Sequence, residues 1–152
     1  MSERFPDFER FADEVARLRG RMRALFAETR AESGLPEMEL MVLTAVVNAA
    51  TPPTVAQIGR SLGHPRQVVQ RAANRLAELK LVELTDNPEH KRASLIVATK
   101  AGHALKAADH KRAQAVTKAV LARIDSKDFA KAAKRMHAIR TEIEAYLRER
   151  EG

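Results

Sequence analysis

Apolar positions mark a helix at each end of the chain. Near the start, Phe8, Phe11, Val15, Leu18, Met22 and Leu25 follow a 3,4,3,4,3 spacing. That spacing traces one stripe along a helix whose other faces carry Glu, Asp and Arg. Near the end, Phe129, Ala133, Met136, Ile139 or Arg140, Ile143 and Tyr146 or Leu147 repeat the period, with Ser126 as the predicted N-cap. Gly34-Leu35-Pro36 breaks the first segment and sets Pro36 at a first helical position. Leu40, Leu43, Val46 and Val47 supply the next apolar face, which ends at Ala49-Ala50-Thr51-Pro52-Pro53.

Thr54 to Gln57 reads as a capping box, in which the Thr hydroxyl accepts from the Gln amide and the Gln side chain reaches back. A helix of about eight residues follows, with Val55, Ile58 and Leu62 inside. Gly63-His64-Pro65 makes a tight corner, and a further helix is predicted from Pro65 to about Leu79 on the spacing of Val69, Ala72, Leu76 and Leu79. Two short helices joined by such a corner are a helix-turn-helix signal. Beyond Lys80 the pattern changes to Leu81–Thr85, a seven-residue polar loop Asp86–Arg92, and Ser94–Ala98, which predicts two strands of a hairpin. Thr99 is the predicted cap of a long helix through Leu105, Ala108, Val116, Val120 and Ile124, with Gly102 a weak point near its start.

The helix after the corner carries Gln67, Gln70, Arg71 and Asn74 at i, i+3, i+4 and i+7, opposite Val69, Ala72 and Leu76. Arg can bridge guanine O6 and N7, while Gln and Asn can bridge adenine N6 and N7, which is the equipment of a helix in a major groove. An ordinary wet helix face mixes Glu with Lys, whereas the first acidic residue here is Glu78, near the far end. Arg66, in the first turn, suits a phosphate or a flanking base. The hairpin tip adds Lys91 and Arg92 on a loop shaped by Pro88, where a long cation can enter a narrow minor groove.

Charge strengthens this reading through its distribution. The net charge is +7 over 152 residues, and residues 60–112 hold 11 Lys/Arg against 5 Asp/Glu, while residues 1–59 hold 7 against 9. A basic centre points to an anionic partner, nucleic acid above all. With 45% hydrophobic and 31% charged residues the chain is globular, and its length suits one domain. The absence of Cys excludes disulfides, thiolate nucleophiles and cysteine zinc sites. No apolar run approaches the roughly 20 residues of a membrane span, and the charged start MSERFPDFER lacks the apolar core of a secretion signal. A cytoplasmic protein with no membrane partner is expected.

The sequence RLAELKLVELTDNPEHKRASLIVAT, residues 75–99, resembles the recognition-helix end and NPxDxR-type wing of the MarR (multiple antibiotic resistance regulator) family. LPEMELMVLTAVV and VAQIGRSLG are similar to that family's scaffold helix and first helix-turn-helix element. The resemblance implies a mainly α fold with a minor β component. It would be a winged helix-turn-helix lobe over residues 35–99, with dimerisation helices at 1–33 and 100–152. It implies a homodimer on a pseudopalindromic operator in double-stranded DNA, usually a repressor released by a small ligand. Carried over, Arg71 matches the recognition-helix Arg and Arg92 the wing Arg. The expected interface is then Thr54, Arg60 and Arg66 on phosphates, Gln67, Gln70, Arg71 and Asn74 on bases, and Lys91 with Arg92 on the flanks. Three positions depart from the family pattern. His90 stands where an Asp usually steadies the wing arginines, Lys80 replaces a common Gly, and Leu84 a common Arg. A protonated His90 would repel Arg92, so operator affinity is expected to depart from the family's usual wing contribution.

Other classes fit less well. There is no phosphate loop, GxGxxG, HExxH or nucleophile elbow, so no enzyme and no cofactor are expected. His103, His110 and His137 read as scattered surface histidines, since Asp109 points about 100° away from His110, and no metal is expected. Met22, Phe129 and Met136 could line a pocket for an aromatic or lipophilic effector, but at helical spacing they read first as core. A helical protein-interaction module with non-specific DNA affinity accounts for the two ends, but not for a Gln- and Arg-bearing helix followed by a basic hairpin.

Overall fold

The computed structural model describes residues 4–151. Seven helices and one hairpin occur among the described residues: α1 (Arg4–Leu25), α2 (Ala27–Ser33), α3 (Glu37–Asn48), α4 (Val55–Leu62), α5 (Arg66–Glu78), β1 (Val82–Thr85), β2 (Leu95–Ala98), α6 (Lys100–Leu121) and α7 (Ser126–Glu151). This is the expected mainly α winged helix-turn-helix. None of these helices is long and apolar enough to cross a membrane.

The core lies under the middle of the chain. Val42, Leu43 and Val46 of α3 meet Val55 and Ile58 of α4, Val69, Ala72, Ala73 and Leu76 of α5, and Leu81, Val82 and Ile96 of the hairpin. These side chains are aliphatic, as a chain with 4% aromatics requires. Each large one contributes about 1.5–3 kcal/mol through burial.

Residue-level differences from the sequence reading have local causes. Pro36 and Pro65 each stand one position outside their helix, with ψ of 155° and 141°, because extended backbone there turns the next residue into the first helical one. Asp125, not Ser126, caps α7, since its Oδ1 accepts from Lys127 N at 2.9 Å. The long helix after the wing stops at Leu121, short of Ile124. The second strand starts at Leu95 rather than Ser94, and lengthens the wing loop.

The end of α5 is a Schellman motif. Lys80 N donates to Ala77 O at 2.9 Å and Leu81 N to Leu76 O at 2.9 Å, while Leu76 and Leu81 pack in the same core. Lys80 sits at φ 59°, left-handed, at the very position where a Gly is usual in the family. The Thr99 hydroxyl donates to Lys80 O at 2.7 Å and accepts from Gly102 N at 3.1 Å. This one side chain therefore caps α6, as expected, and ties it to the end of α5. Gly102 is no weak point. It is buried against Leu81.

The inner face of α6 holds one further difference. Ala108 is exposed, and Asp109 takes the buried position between Leu105 and Val116. The apolar stripes of α1 and α7 face solvent in the single chain, with Met22 51%, Phe129 42% and Met136 38% exposed. Those three side chains are thus not core in the single chain.

Candidate nucleic-acid interface

The helix-turn-helix is held by its ends. The capping box at α4 is complete, with Gln57 N on the Thr54 hydroxyl at 3.2 Å and Gln57 Oε1 accepting from Thr54 N at 2.9 Å. Gly63 turns the corner at φ 68°, where a side chain would be strained. His64 N then donates to Gly59 O at 2.9 Å, and α5 leaves the corner with Val69, Ala72, Ala73 and Leu76 turned inward. The opposite face follows from helical geometry.

On that opposite face Arg66, Gln67, Arg71 and Asn74 are exposed and Gln70 half-buried. Gln70 Nε2 donates to Asn74 Oδ1 at 2.9 Å, so these two amides are already aligned with each other. Arg71, Gln67 and Arg66 make no side-chain hydrogen bond or ion pair among the described residues, nor do Arg60, Lys91 and Arg92. Arg75 is paired with Glu78 at 2.9 Å, which confines the only carboxylate of α5 to its far end.

The wing is docked onto the helix-turn-helix. β1 and β2 pair antiparallel, Val82 opposite Ala98 and Thr85 opposite Leu95. The free edge of β2 reaches the segment before α4, with Ile96 N on Pro53 O at 2.8 Å and a bridge between Thr54 and Leu95. Asn87 is buried at the wing base, and its Oδ1 accepts from Glu89 N at 3.0 Å, an Asx turn that shapes the loop around Pro88. Ala93 N closes the tip on His90 O at 3.0 Å. Thr54, Arg60, Arg66 and Arg92 thereby line one cleft of about 750 Å³, together with His90 and Glu89. Lys91 lies outside it, exposed on the tip.

A model described as the MarR family matches residues 33–93, from the end of α2 through the wing tip. Proteins of Mycobacterium tuberculosis and Mycobacterium bovis, each described only as uncharacterized, are 33% identical over 119 residues, covering 78% of this chain and 82% of the relative. The chain belongs to the MarR family.

Solved structures superpose over most of its length. A MarR-family transcriptional regulator from Rhodococcus sp. RHA1 aligns with a TM-score of 0.76 at 19% identity, covering 87% of this chain and 93% of that one. CouR from Rhodococcus jostii RHA1, bound to p-coumaroyl-CoA, aligns at 0.74 and 19%, covering 86% and 91%. Staphylococcus aureus MarR, in complex with salicylate and kanamycin, aligns at 0.73 and 17%, covering 97% of each chain. By family and by fold this is a winged-helix transcription regulator.

An open cleft beside the MarR-family lobe is lined in part by residues that pattern reading did not single out. A cavity of about 930 Å³ lies between α2, α3, α4 and α6, and Thr29, Leu40, Met41, Thr44, Lys106 and Asp109 are among its lining residues. Neither Met22 nor Phe129 nor Met136 reaches it. Lys106 Nζ contacts Asp109 Oδ2 at 2.9 Å, whereas Asp109 Oδ1 and Arg112 Nε are buried with no hydrogen-bond partner among the described residues. A signal was present in the sequence: Leu105, Asp109, Arg112 and Val116 keep helical spacing. A hydrophobic-pattern search passes over charged members of such a stripe.

Proposed function

We propose that this chain is a homodimeric, sequence-specific repressor that binds an inverted-repeat operator in double-stranded DNA and is released by a small ligand. The observation that carries it is the outward face of α5, where Gln67, Arg71 and Asn74 are exposed with no carboxylate among them. Beside that face, Thr54, Arg60, Arg66 and Arg92 line one cleft. In this reading Gln67, Gln70, Arg71 and Asn74 read base edges, Thr54, Arg60 and Arg66 hold phosphates, and Lys91 with Arg92 grip the flanking minor groove.

Dimerisation through residues 1–33 and 100–152 is supported by the uncovered stripes of α1 and α7. Leu18 and Met22 on one, and Met136, Ile143, Tyr146 and Leu147 on the other, are 38–57% exposed. Apolar side chains in such rows favour a second copy of the same surface. A two-fold dimer sets its recognition helices about 34 Å apart, one helical turn of DNA. Residues 35–99 then form the lobe that carries α5 and the wing. The cavity between this lobe and α6 is the effector site in this reading. Differential affinity of several kcal/mol between DNA-competent and released states would be needed for switching.

Selection of purified protein on random duplexes, followed by a salt titration, tests the reading. An enriched inverted repeat with half-sites about one turn apart is expected. Enrichment of nothing, with weak and steeply salt-dependent binding to all DNA, would overturn it in favour of a protein-interaction module with an electrostatic patch.

A further inference from the structure

The cleft between the wing and α4 collects cations from three separate elements. Arg60 comes from α4, Arg66 from the first turn of α5 and Arg92 from the wing loop, and His90 lines the same cleft. All four are exposed. The loop holds residue 90 from both sides: Glu89 N donates to Asn87 Oδ1 at 3.0 Å, and Ala93 N donates to His90 O at 3.0 Å. Glu89 is the one carboxylate among the residues that line the cleft, so three guanidinium groups leave positive charge in excess even beside a neutral imidazole. An imidazole is the side chain whose charge ordinarily changes between pH 5 and 8.

We propose that His90 is a further phosphate ligand of this interface, engaged in its protonated form, so that DNA binding takes up a proton at each wing. This rests on the DNA-binding reading above and adds to it a residue and a pH dependence. Without DNA, an imidazolium in this cleft stands with Arg60, Arg66 and Arg92, and only Glu89 among the lining residues offsets them. A phosphate in the cleft reverses the balance, because ring and arginines then share one anion. The bound state therefore favours the charged ring more than the free state does. The added affinity is complete at acid pH and is lost as pH rises through the titration of the bound ring. A phosphate contact carries no sequence information, so the effect extends to any duplex and stays measurable if operator selection fails.

Fluorescence anisotropy of the full chain at about pH 6 and about pH 8, at fixed ionic strength, tests this on two probes: the selected operator and a duplex of random sequence. Between the higher and the lower pH, wild type is expected to gain at least about tenfold more affinity than His90→Gln on both probes. Its salt slope should also steepen at the lower pH by about one for each protomer. His90→Gln keeps a hydrogen-bonding side chain without the charge, and the contributions of His64, His103, His110 and His137 are common to both proteins and cancel. His90→Arg, charged throughout, is expected to bind tightly at both pH values. Equal pH responses in wild type and His90→Gln overturn the role of His90 and leave DNA binding standing. A response confined to the operator replaces the phosphate contact with a base contact, and a His90→Arg variant as weak as His90→Gln removes charge as the cause. Binding of neither probe at about 10 μM protein in low salt removes the DNA-binding reading itself, and this proposal with it.

Discussion

Gly102 runs so close to Leu81 that a Cβ built on it would lie 2.1 Å from the Leu81 carbonyl oxygen. The same oxygen accepts from Thr99 N at 3.0 Å. The start of α6 and the link between α5 and β1 are therefore pressed together backbone to backbone, and a helix that leaves the DNA-binding lobe is fixed in position at its root. The obstructing atom is main chain and cannot swing aside.

Gly102→Ala should consequently destabilise the fold, by about 3 kcal/mol, although alanine is the better helix former. Urea unfolding followed by circular dichroism checks this. A variant as stable as the wild type would mean that α6 and the α5 end can separate at no cost.

Lys80→Gly should act in the opposite direction. Lys80 is held at φ 59°, where a side chain costs about 1–2 kcal/mol and glycine's extra unfolded-state freedom costs about 0.5–1 kcal/mol. A net gain of about 0.5–1 kcal/mol is expected, visible as a rise in Tm. A fall in Tm would show that the Lys80 side chain contributes more than its backbone strain removes.

Arg71→Ala should separate base reading from backbone contact. The loss expected on the selected operator is about 1–3 kcal/mol, with a relaxed preference at one base pair in each half-site. Lys91→Ala should instead weaken binding to all duplexes and lower the salt slope by about one. Equal losses for Arg71→Ala on operator and random DNA would falsify its base-reading role.

Ile143→Asp should weaken self-association. The side chain is 45% exposed on the α7 stripe, and a carboxylate buried there on pairing costs several kcal/mol without a partner. Sedimentation velocity is expected to show a shift toward monomer with the helical content retained, and operator affinity should fall with it. An unchanged sedimentation profile would place the subunit contact elsewhere.

Much of the architecture was legible in residue order because it rests on local rules. The Thr54–Gln57 capping box, the Gly63 corner, the Thr99 cap and the two short apolar runs of the wing each depend on neighbours a few positions away. The polar face of α5 was legible for the same reason, since inward Val69, Ala72 and Leu76 leave Gln67, Arg71 and Asn74 outside. Helix starts were displaced by one residue at Pro36 and Pro65, and the α7 cap moved from Ser126 to Asp125. Those details turn on ψ and on which of two adjacent side chains points back to the helix.

What residue order determined, then, is every element that a short stretch of chain specifies for itself: the period, the cap, the turn and the polarity of each face. Tertiary structure decided what depends on residues brought together from far along the chain. It set Arg92 of the wing in one cleft with Thr54, Arg60 and Arg66. It made Gly102 a requirement of packing rather than a flaw in a helix. It also turned Asp109, one charge on a charged helix, into a buried carboxylate paired with Lys106. Helical spacing states that a residue faces inward, but only the neighbour across the gap determines whether that residue meets a hydrocarbon, a backbone oxygen or an open space.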